Sequence, residues 1–251
     1  MIKAIMHGCS GKMGHVISEI ISGDEGIEIV CGVDVNTDAE CGYPVFSSLS
    51  ECDVKADVII DFSTAAAVKG LLDGALKKDI PVVLCTTGLS DCDLSMVDEA
   101  SKKIAILRSA NMSLGINTLL KLLKTAAGIL SPEGYDIEIV EKHHGRKLDA
   151  PSGTAIALAD AVNDAAGGKY EYVFDRSERR QKRPENEIGI SSVRGGTIVG
   201  EHEILFCGTD EVIEIKHTAY SRAIFAKGAV AAAKFLAGKE AGMYSMSDVL
   251  A

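Results

Sequence analysis

Residues 2–21 read IKAIMHGCSGKMGHVISEII, and this stretch decides how the chain begins to fold. A short apolar run is followed by a glycine-rich turn, after which apolar residues recur at helical spacing. A strand, a tight turn and a helix in that order predict the first half of a βαβ unit. A second apolar run, residues 27–33, predicts the next strand and is followed by Asp34.

The glycine-rich turn and Asp34 together predict a dinucleotide-binding site. Glycines allow the backbone to approach a pyrophosphate at a helix N-terminus, and an acid after the second strand accepts hydrogen bonds from ribose hydroxyls. Gly11 and Gly14 match the last two glycines of the usual G-x-G-x-x-G pattern, but Cys9 stands at the first position and Gly8 lies one residue early. A βα turn with a purely structural role is the alternative.

The βα pattern then repeats along the chain. Apolar runs at residues 58–62, 81–85 and 104–107 predict further strands, and Ser63 or Thr64 is the predicted cap of the helix after the first of them. Strands alternating with helices predict an α/β fold, a Rossmann-type doubly wound parallel sheet. Ligands of such sheets bind beyond the carboxyl ends of the strands. The residues expected at that edge include Asp34, Thr86, Thr87 and Asn111.

The pattern changes after residue 113. A long apolar-periodic segment, residues 114–130, predicts a helix. Alternation of apolar and polar residues then predicts strands with one solvated face, at residues 135–141, 188–193, 197–207 and 212–217. These elements predict a second, α+β domain with an open mixed sheet. A final apolar helix, residues 223–236, is predicted to pack against the first domain.

A strongly basic segment follows the first of these alternating strands. Residues 141–154 read EKHHGRKLDAPSGT and lead directly into an apolar-periodic helix. Cations and proton donors beside a helix N-terminus suit a small anionic substrate, because backbone N–H groups there attract carboxylates. A solvated charged loop is the alternative for this segment taken alone.

The composition argues against several classes of protein. The formal net charge of −10 disfavours nucleic-acid binding. No apolar run approaches the roughly 18 residues of a membrane span. Seven cysteines without a C-x-x-C pair indicate reduced thiols and a cytoplasmic protein. No H-E-x-x-H or comparable spacing occurs, so no metal site is predicted.

Two other features are assigned structural roles. The basic run at residues 176–183 is predicted to be a mobile, solvated loop. His202 and His217 lie on alternating strands, where hydrogen-bonded structural histidines are expected rather than ligands.

Nearly the whole chain resembles the dihydrodipicolinate reductase family, also called 4-hydroxy-tetrahydrodipicolinate reductases. The stretch from His143 to Thr154 is highly specific for this family, whereas the glycine motif alone is not. The matching stretches include residues 8–14, 86–88, 110–115, 141–144, 149–154, 194–196, 199–202, 221–222 and 225–226.

The resemblance implies an NAD(P)H-dependent reductase of lysine and diaminopimelate biosynthesis, whose substrate is a small cyclic imine with two carboxylates. It implies a dinucleotide-binding domain, residues 1–113 and 222–251. It also implies a substrate-binding and oligomerisation domain, residues 114–221, whose sheet builds a homotetramer.

The resemblance also implies roles for individual residues. His143 and Lys147 would supply the acid–base chemistry. The residues that would bind the substrate are His144, Gly153 and Thr154. The residues that would contact the cofactor are Gly8, Cys9, Ser10, Gly11, Lys12, Met13, Asp34, Cys85, Thr86, Thr87, Ser109, Ala110, Asn111 and Met112.

Two positions depart from the family's pattern. Cys85 stands where the family usually has glycine, and Lys12 replaces a common arginine. Asp34 favours the free 2′-hydroxyl of NADH and would repel a 2′-phosphate, a repulsion that Lys12 could offset. Use of both NADH and NADPH is therefore expected, with NADH preferred.

Two other functions are open alternatives. One is a different imine-reducing oxidoreductase, such as an L-aspartate dehydrogenase. The other is a non-catalytic regulator that senses NADH. A regulator has no need of a histidine and a lysine converging beside a helix N-terminus, so the basic segment favours an enzyme.

Overall fold

The computed structural model describes residues 1–109 and 111–251, and its chain divides into two compact units. The first unit consists of residues 1–114 and 223–251, and the second of residues 115–222. Among the described residues, no helix combines the length and the apolar character that a membrane crossing requires.

The strands and helices of the first unit precede and follow those of the second. The chain begins with β1 (Ile2–His7), α1 (Lys12–Ser22), β2 (Ile27–Val33), β3 (Val45–Phe46), β4 (Val58–Asp61), α2 (Val68–Lys78), β5 (Val82–Leu84), α3 (Asp91–Ser101) and β6 (Ala105–Arg108). It continues with α4 (Leu114–Leu130), β7 (Asp136–His143), α5 (Gly153–Ala165), β8 (Glu171–Val173), β9 (Glu187–Arg194), β10 (Gly200–Cys207) and β11 (Val212–Ala219). It ends with α6 (Ala223–Leu236), β12 (Gly242–Tyr244) and α7 (Met246–Val249).

The first unit is built on a seven-stranded sheet in the order β12-β6-β5-β4-β1-β2-β3, with every neighbouring pair parallel. Helices α1 and α6 cover one face, and α2 and α3 cover the other. Because both faces are buried, β4 is apolar at successive positions rather than at alternate ones. The predicted doubly wound parallel sheet is confirmed, and α6 packs against α1 and this sheet as expected.

The start of α2 differs from the prediction. A 3₁₀ turn, Ala65–Ala67, separates Thr64 from the helix, and the N-cap position is Ala67, with no side-chain cap bond. The hydroxyl of Ser63 lies instead 3.4 Å from that of Thr86, at the end of β5. The predicted capping by Ser63 or Thr64 is therefore wrong, because the 3₁₀ turn separates both residues from α2 and the Ser63 hydroxyl lies beside Thr86 at the edge of the sheet.

The second unit contains a five-stranded mixed sheet in the order β11-β10-β7-β9-β8. The strand β7 pairs antiparallel with β10 and parallel with β9, so the predicted mixed sheet is confirmed. Helices α4 and α5 pack on one face, where Ile137 and Ile139 of β7 enter the core. Since side chains alternate along a strand, Glu141 and His143 lie on this same covered face, and both are buried.

The basic run at residues 176–183 is not a freely solvated loop. Arg176 donates to both carboxylate oxygens of Glu138, at 3.0 and 2.8 Å. Arg183 donates to Glu138 at 2.9 Å and to Asp136 at 2.7 Å. The prediction is wrong for these two arginines, because the sheet's second face carries carboxylates that pair with them.

Candidate active site

The carboxyl edge of the first unit's sheet holds a cavity of about 410 Å³. It lies where β1, β2 and β4 end side by side, which is the edge at which parallel sheets bind ligands. The predicted cofactor residues that line it are Gly8, Ser10, Gly11 and Asp34. Neighbouring lining residues include His7, Phe62, Ser63 and Thr64.

The glycines of the first turn are required by close backbone packing. Gly8 has a φ of +83°, and a Cβ at this position would lie 2.6 Å from the carbonyl oxygen of Phe62. A Cβ at Gly14 would lie 2.5 Å from the carbonyl oxygens of Gly8 and Cys9. The turn is thus pressed against the first turn of α1 and the end of β4. This cradle fits a nicotinamide dinucleotide, whose pyrophosphate needs a close approach of backbone to a helix N-terminus.

Asp34 is oriented by backbone donors. Its carboxylate accepts hydrogen bonds from the N–H of Ser10 at 2.9 Å and from the N–H of Asn36 at 3.1 Å. The acid therefore bridges the glycine turn and the segment after β2. It occupies the place expected for the ribose-binding acid of a dinucleotide fold.

A buried polar network that the sequence did not predict joins three strand ends at the same edge. Asp61 is fully buried and lies 2.6 Å from Nδ1 of His7. Thr86 donates its hydroxyl to the other oxygen of Asp61 at 2.6 Å. The backbone N–H of Ser63 donates to the oxygen that faces His7, at 3.2 Å. A buried carboxylate needs such partners, so Asp61 holds the ends of β1, β4 and β5 in place. The signal in the sequence was a single acid at the end of an apolar run.

The other predicted cofactor residues have different environments. Cys9 is fully buried in the core, whereas the side chains of Lys12 and Thr87 are exposed. Burial raises the pKa of the Cys85 thiol well above its ordinary value. Ser109 is half-buried after β6, as are Met13 and Asn111, and Met112 is buried. Ala110 lies outside the described residues.

A buried ionic cluster organises the second unit's site. Arg194 donates to both oxygens of Glu141, at 2.9 and 2.6 Å, across the β7–β9 pair. Nδ1 of His143 lies 2.5 Å from Glu141, and the N–H of Ser152 donates to the same carboxylate at 3.1 Å. Arg194 also donates to the carbonyl oxygen of Asp149 at 2.7 Å, which attaches the basic segment to the sheet.

The electrostatics of this cluster keep the carboxylate charged and the imidazole neutral. Burial acts to raise the pKa of Glu141, but hydrogen bonds from Arg194, Ser192 and His143 outweigh it and hold that pKa at about 2. Burial lowers the pKa of His143, and the charges of Lys147 and Arg194 act in the same direction against the opposing effect of Glu141. Near neutral pH, His143 is therefore uncharged.

A second histidine packs against the first. The ring of His202 meets that of His143 edge to face, with centroids 5.2 Å apart. Its Nε2 lies 3.0 Å from the hydroxyl of Ser152, the residue that caps α5 by accepting from the N–H of Ala155. Burial is the main cause that lowers the pKa of His202 to about 4. His202 is hydrogen-bonded as predicted, yet it also belongs to the site.

The predicted substrate residues directly follow members of this cluster in the chain, His144 after His143, and Gly153 and Thr154 after Ser152. Gly153 and Thr154 lie in the first turn of α5, at the end of the helix that carries partial positive charge. The ammonium of Lys147 lies 2.9 Å from the carboxylate of Asp149, and its side chain is 21% exposed. His144 is half-buried and follows β7 directly. Cations, imidazoles and a helix N-terminus therefore converge in one unit, an arrangement suited to a small dianion.

The sequence did not indicate roles for Glu141, Ser152 or Arg194. One signal was available: Glu141 has the same strand parity as Ile137 and Ile139, so its carboxylate was bound to be buried and to need a cation. Within residues 1–109 and 111–251, no group of three or more histidine, cysteine, aspartate or glutamate side chains is arranged to hold a metal ion.

Two family models match the chain, one in each half. The model described as dihydrodipicolinate reductase, N-terminus, matches residues 2–112. The model described as dihydrodipicolinate reductase, C-terminus, matches residues 115–250. The residues of the cofactor edge lie within the first match, and the ionic cluster lies within the second.

Curated relatives match along the whole chain. The 4-hydroxy-tetrahydrodipicolinate reductase of Caldanaerobacter subterraneus subsp. tengcongensis is 54% identical over 250 residues, covering 100% of this chain and 98% of that protein. The protein of the same name from Clostridium novyi is 49% identical over 251 residues, with the same coverage of 100% and 98%.

Solved structures share the fold. A dipicolinate-bound dihydrodipicolinate reductase from Paenisporosarcina sp. TG-14 superposes with a TM-score of 0.81 at 25% identity, covering 100% of both chains. A probable dehydrogenase from Thermotoga maritima has a TM-score of 0.64 at 13% identity, covering 99% of this chain and 92% of that one. The second likeness concerns the fold alone.

Proposed function

The chain belongs to the dihydrodipicolinate reductase family, and from this premise we propose that it reduces 4-hydroxy-tetrahydrodipicolinate to tetrahydrodipicolinate with NAD(P)H, in lysine and diaminopimelate biosynthesis. The observation that carries the proposal is the buried cluster of Glu141, His143 and Arg194 beside the N-terminus of α5. The imidazole of this cluster offers proton transfer, and the neighbouring Lys147 and the N-terminus of α5 offer positive charge to a dicarboxylate. An aspartate dehydrogenase or an NADH sensor is not favoured by this family membership.

His143 and Lys147 are the proposed acid–base residues. Bound NAD(P)H supplies a hydride to the cyclic imine, and the ring then needs a proton. The ammonium of Lys147 can donate a proton and stabilises negative charge that develops on the substrate. His143 is uncharged there, so it suits the relay of a proton through its imidazole.

The two carboxylates of the substrate are assigned to the groups around this pair. The backbone of Gly153 and Thr154 at the start of α5 would receive one carboxylate, because the helix N-terminus carries partial positive charge. His144 would contact the substrate from another side. The net charge of −10 makes this local concentration of positive charge necessary for binding a dianion.

The first unit is the proposed dinucleotide-binding domain, and NADH is the proposed preferred cofactor. Asp34, held by the N–H groups of Ser10 and Asn36, can accept from the ribose 2′-hydroxyl of NADH and would repel the phosphate of NADPH. Lys12 is exposed near this turn and offsets part of that repulsion. A higher kcat/KM with NADPH than with NADH in steady-state kinetics would overturn the preference.

The remaining cofactor contacts are proposed from family resemblance and from their place on the sheet edge. Cys85 is a particular case, because a thiol stands where the family usually has glycine. Its backbone contact to the nicotinamide end is therefore expected to be altered. The full proposed set is Gly8, Cys9, Ser10, Gly11, Lys12, Met13, Asp34, Cys85, Thr86, Thr87, Ser109, Ala110, Asn111 and Met112.

Substrate binding and oligomerisation are proposed for the second unit, as is a homotetramer formed through its sheet. One face of that sheet is covered by α4 and α5, and the other carries partly exposed residues such as Val193 and Val212. Apolar residues on an uncovered sheet face are typical of an interface between copies. A cytoplasmic location is proposed because the cysteines are free thiols.

The activity is tested by following the loss of NADH absorbance with freshly generated substrate. Consumption of NADH that depends on this substrate is expected, and a control with L-aspartate chemistry, oxaloacetate plus ammonia, should show none. Turnover of the control alone would favour the aspartate dehydrogenase. Binding of NADH without consumption of NADH or NADPH would favour the sensor.

The catalytic assignments are tested by substitution. His143→Ala and Lys147→Met are expected to lower kcat by about 10²-fold or more, because each removes a group that handles the proton. Fluorescence titration should show unchanged NADH affinity, since both residues lie in the second unit. A His143→Ala enzyme with wild-type kcat would remove that assignment.

A further inference from the structure

The fully buried carboxylate of Glu141 is the centre of the second unit's site, and the acid–base roles proposed above do not use it. Glu141 follows Ile137 and Ile139 and precedes His143 on the covered face of β7. A charge in that position is tolerated only with close partners. Those partners include both donors at the end of the Arg194 guanidinium and the ring nitrogen of His143.

We propose that Glu141 and Arg194 are a positioning pair for the acid–base residues. The carboxylate accepts the Nδ1–H of His143, which leaves Nε2 as the nitrogen that exchanges protons. The guanidinium keeps that carboxylate ionised and, through the carbonyl oxygen of Asp149, fixes the segment that carries Lys147. This inference rests on the proposed role of His143 and names the residues through which that role is controlled.

The geometry separates the two ring nitrogens of His143. Nδ1 is engaged by Glu141 at 2.5 Å, whereas Nε2 lies beside the backbone of Gly200, where an added Cβ would be 3.1 Å away. An ionised carboxylate accepts hydrogen bonds but cannot donate them, so the nitrogen that it contacts must be protonated. The neutral ring of His143 therefore carries its proton on Nδ1. A side chain at position 200 would therefore crowd Nε2, the nitrogen that Glu141 does not engage.

Arg194 has two contacts that a simple counter-ion would not need. It pairs in register with His143 across the β7–β9 ladder, so its side chain is placed on the covered face beside Glu141. It also donates to the carbonyl oxygen of Asp149, whose carboxylate holds Lys147. One guanidinium therefore connects the strand that carries the imidazole with the segment that carries the lysine.

The charged and titratable groups around the His143 ring come from several elements. Glu141 lies on its own strand, Arg194 on β9, His202 on β10, and Lys147 in the segment after β7. Glu141 favours the protonated ring, and Arg194 disfavours it. Removing the two members of the pair must therefore move the titration of His143 in opposite directions, which a merely structural contribution would not do.

The test compares Glu141→Gln and Arg194→Met with the matched control Glu138→Gln. Glu138 lies on the same strand and also binds arginines, but on the other face of the sheet. Nitrogen NMR of histidine-labelled protein reports the tautomer and pKa of His143, and steady-state kinetics with NADH give kcat, KM and their pH profiles.

The wild type and the three variants are expected to differ in the tautomer and pKa of His143 and in kcat. In the wild type, His143 carries its proton on Nδ1 at neutral pH. Glu141→Gln lowers the His143 pKa and mixes the tautomers, Arg194→Met raises that pKa, and both lower kcat by about 10-fold to 10²-fold with unchanged KM for NADH. Glu138→Gln leaves the tautomer, the pH profile and kcat unchanged.

Failure of this inference is distinguishable from failure of the proposed function. If His143 of the wild-type protein is protonated on Nε2, the proposed positioning pair is refuted. This measurement needs no variant, so the proposal can be tested even if a substitution prevents folding. Unchanged His143 titration in both variants, together with a slow His143→Ala enzyme, would also overturn it. If His143→Ala retains wild-type kcat, the proposed acid–base role itself is refuted.

Discussion

His202 makes the stability of the second unit depend on pH between neutrality and pH 4. The residue is 4% exposed, and burial, followed by repulsion from a protonated His143, lowers its pKa from the ordinary 6.5 to about 4. The folded protein thus holds His202 neutral over a range in which the unfolded chain protonates it. The stabilisation is complete above pH 6.5 and is lost as the pH falls from 6.5 towards 4.

The size of the effect follows from the two pKa values. Linkage between an unfolded value near 6.5 and a folded value near 4 gives a loss of about 2 kcal/mol between pH 7 and pH 5, and about 3 kcal/mol at pH 4. The pKa of Glu141, also lowered, adds a further loss only below its ordinary value of 4.5. The interval from pH 7 to pH 5 therefore excludes that carboxylate. The pKa values of His143 and His217 are also lowered, so the contribution of His202 is the difference between the wild type and a His202 variant.

The perturbation is His202→Gln, which can keep the hydrogen bond to Ser152 and cannot be protonated. Urea unfolding is followed by circular dichroism at several pH values, since the chain has no tryptophan. The variant should lose about 2 kcal/mol less free energy of unfolding than the wild type between pH 7 and pH 5. His15→Gln, at an exposed histidine of α1, is the control and should behave as the wild type.

Equal losses of unfolding free energy in the wild type and in His202→Gln over this interval would show that protonation of His202 does not cause the loss of stability. Hydrogen exchange of β7 and β10, measured on the same samples and corrected for the intrinsic rate, locates the effect. Acid-induced opening confined to the first unit would equally contradict the assignment to His202.

Three other substitutions test the packing of the two sites. Gly14→Ala should weaken NADH binding about 10-fold or more, measured by fluorescence titration, because its Cβ meets two carbonyl oxygens at 2.5 Å. Gly200→Ala should lower kcat about 10-fold with little change in the free energy of unfolding, because the methyl group crowds Nε2 of His143; unchanged kinetics would count against that contact. Arg183→Met should destabilise the protein by about 2 kcal/mol in urea unfolding, because Asp136 and the backbone carbonyl oxygens of Ile137 and Glu187 each lose a donor. A change near zero would show that Arg183 contributes no more than a solvated side chain.

Local patterns carried much of the prediction. The glycine turn, the apolar strands with their intervening helices, and the final helix were read correctly because each signal lies within about twenty residues of sequence. The basic segment was read as a substrate site for the same reason, since its imidazoles, lysine and helix start are contiguous. Its family resemblance then supplied roles that spacing alone could not.

Contacts between residues that are far apart in the sequence could not be predicted. Glu141 and Arg194, which pair in the site, are 53 residues apart in the sequence, and Ser152 and His202 are 50 residues apart. The alternation of β7 could have shown that Glu141 is buried, because it shares the parity of Ile137 and Ile139, but it could not show which cation pairs with it. The basic run at residues 176–183 was misread for the same reason, because its carboxylate partners lie on strands whose neighbours the sequence did not specify.

The two types of sheet, the glycine turn with Asp34, and the position of the basic segment could therefore all be predicted from the amino-acid sequence. Periodicity, turn chemistry and helix starts are local properties, so they can be read without coordinates. The folded structure was needed to show that β9 and β10 flank β7, an arrangement that brings Arg194 and His202 to His143. Strand order and register are set by the packing of the whole unit, and the electrostatics of the site follow from them.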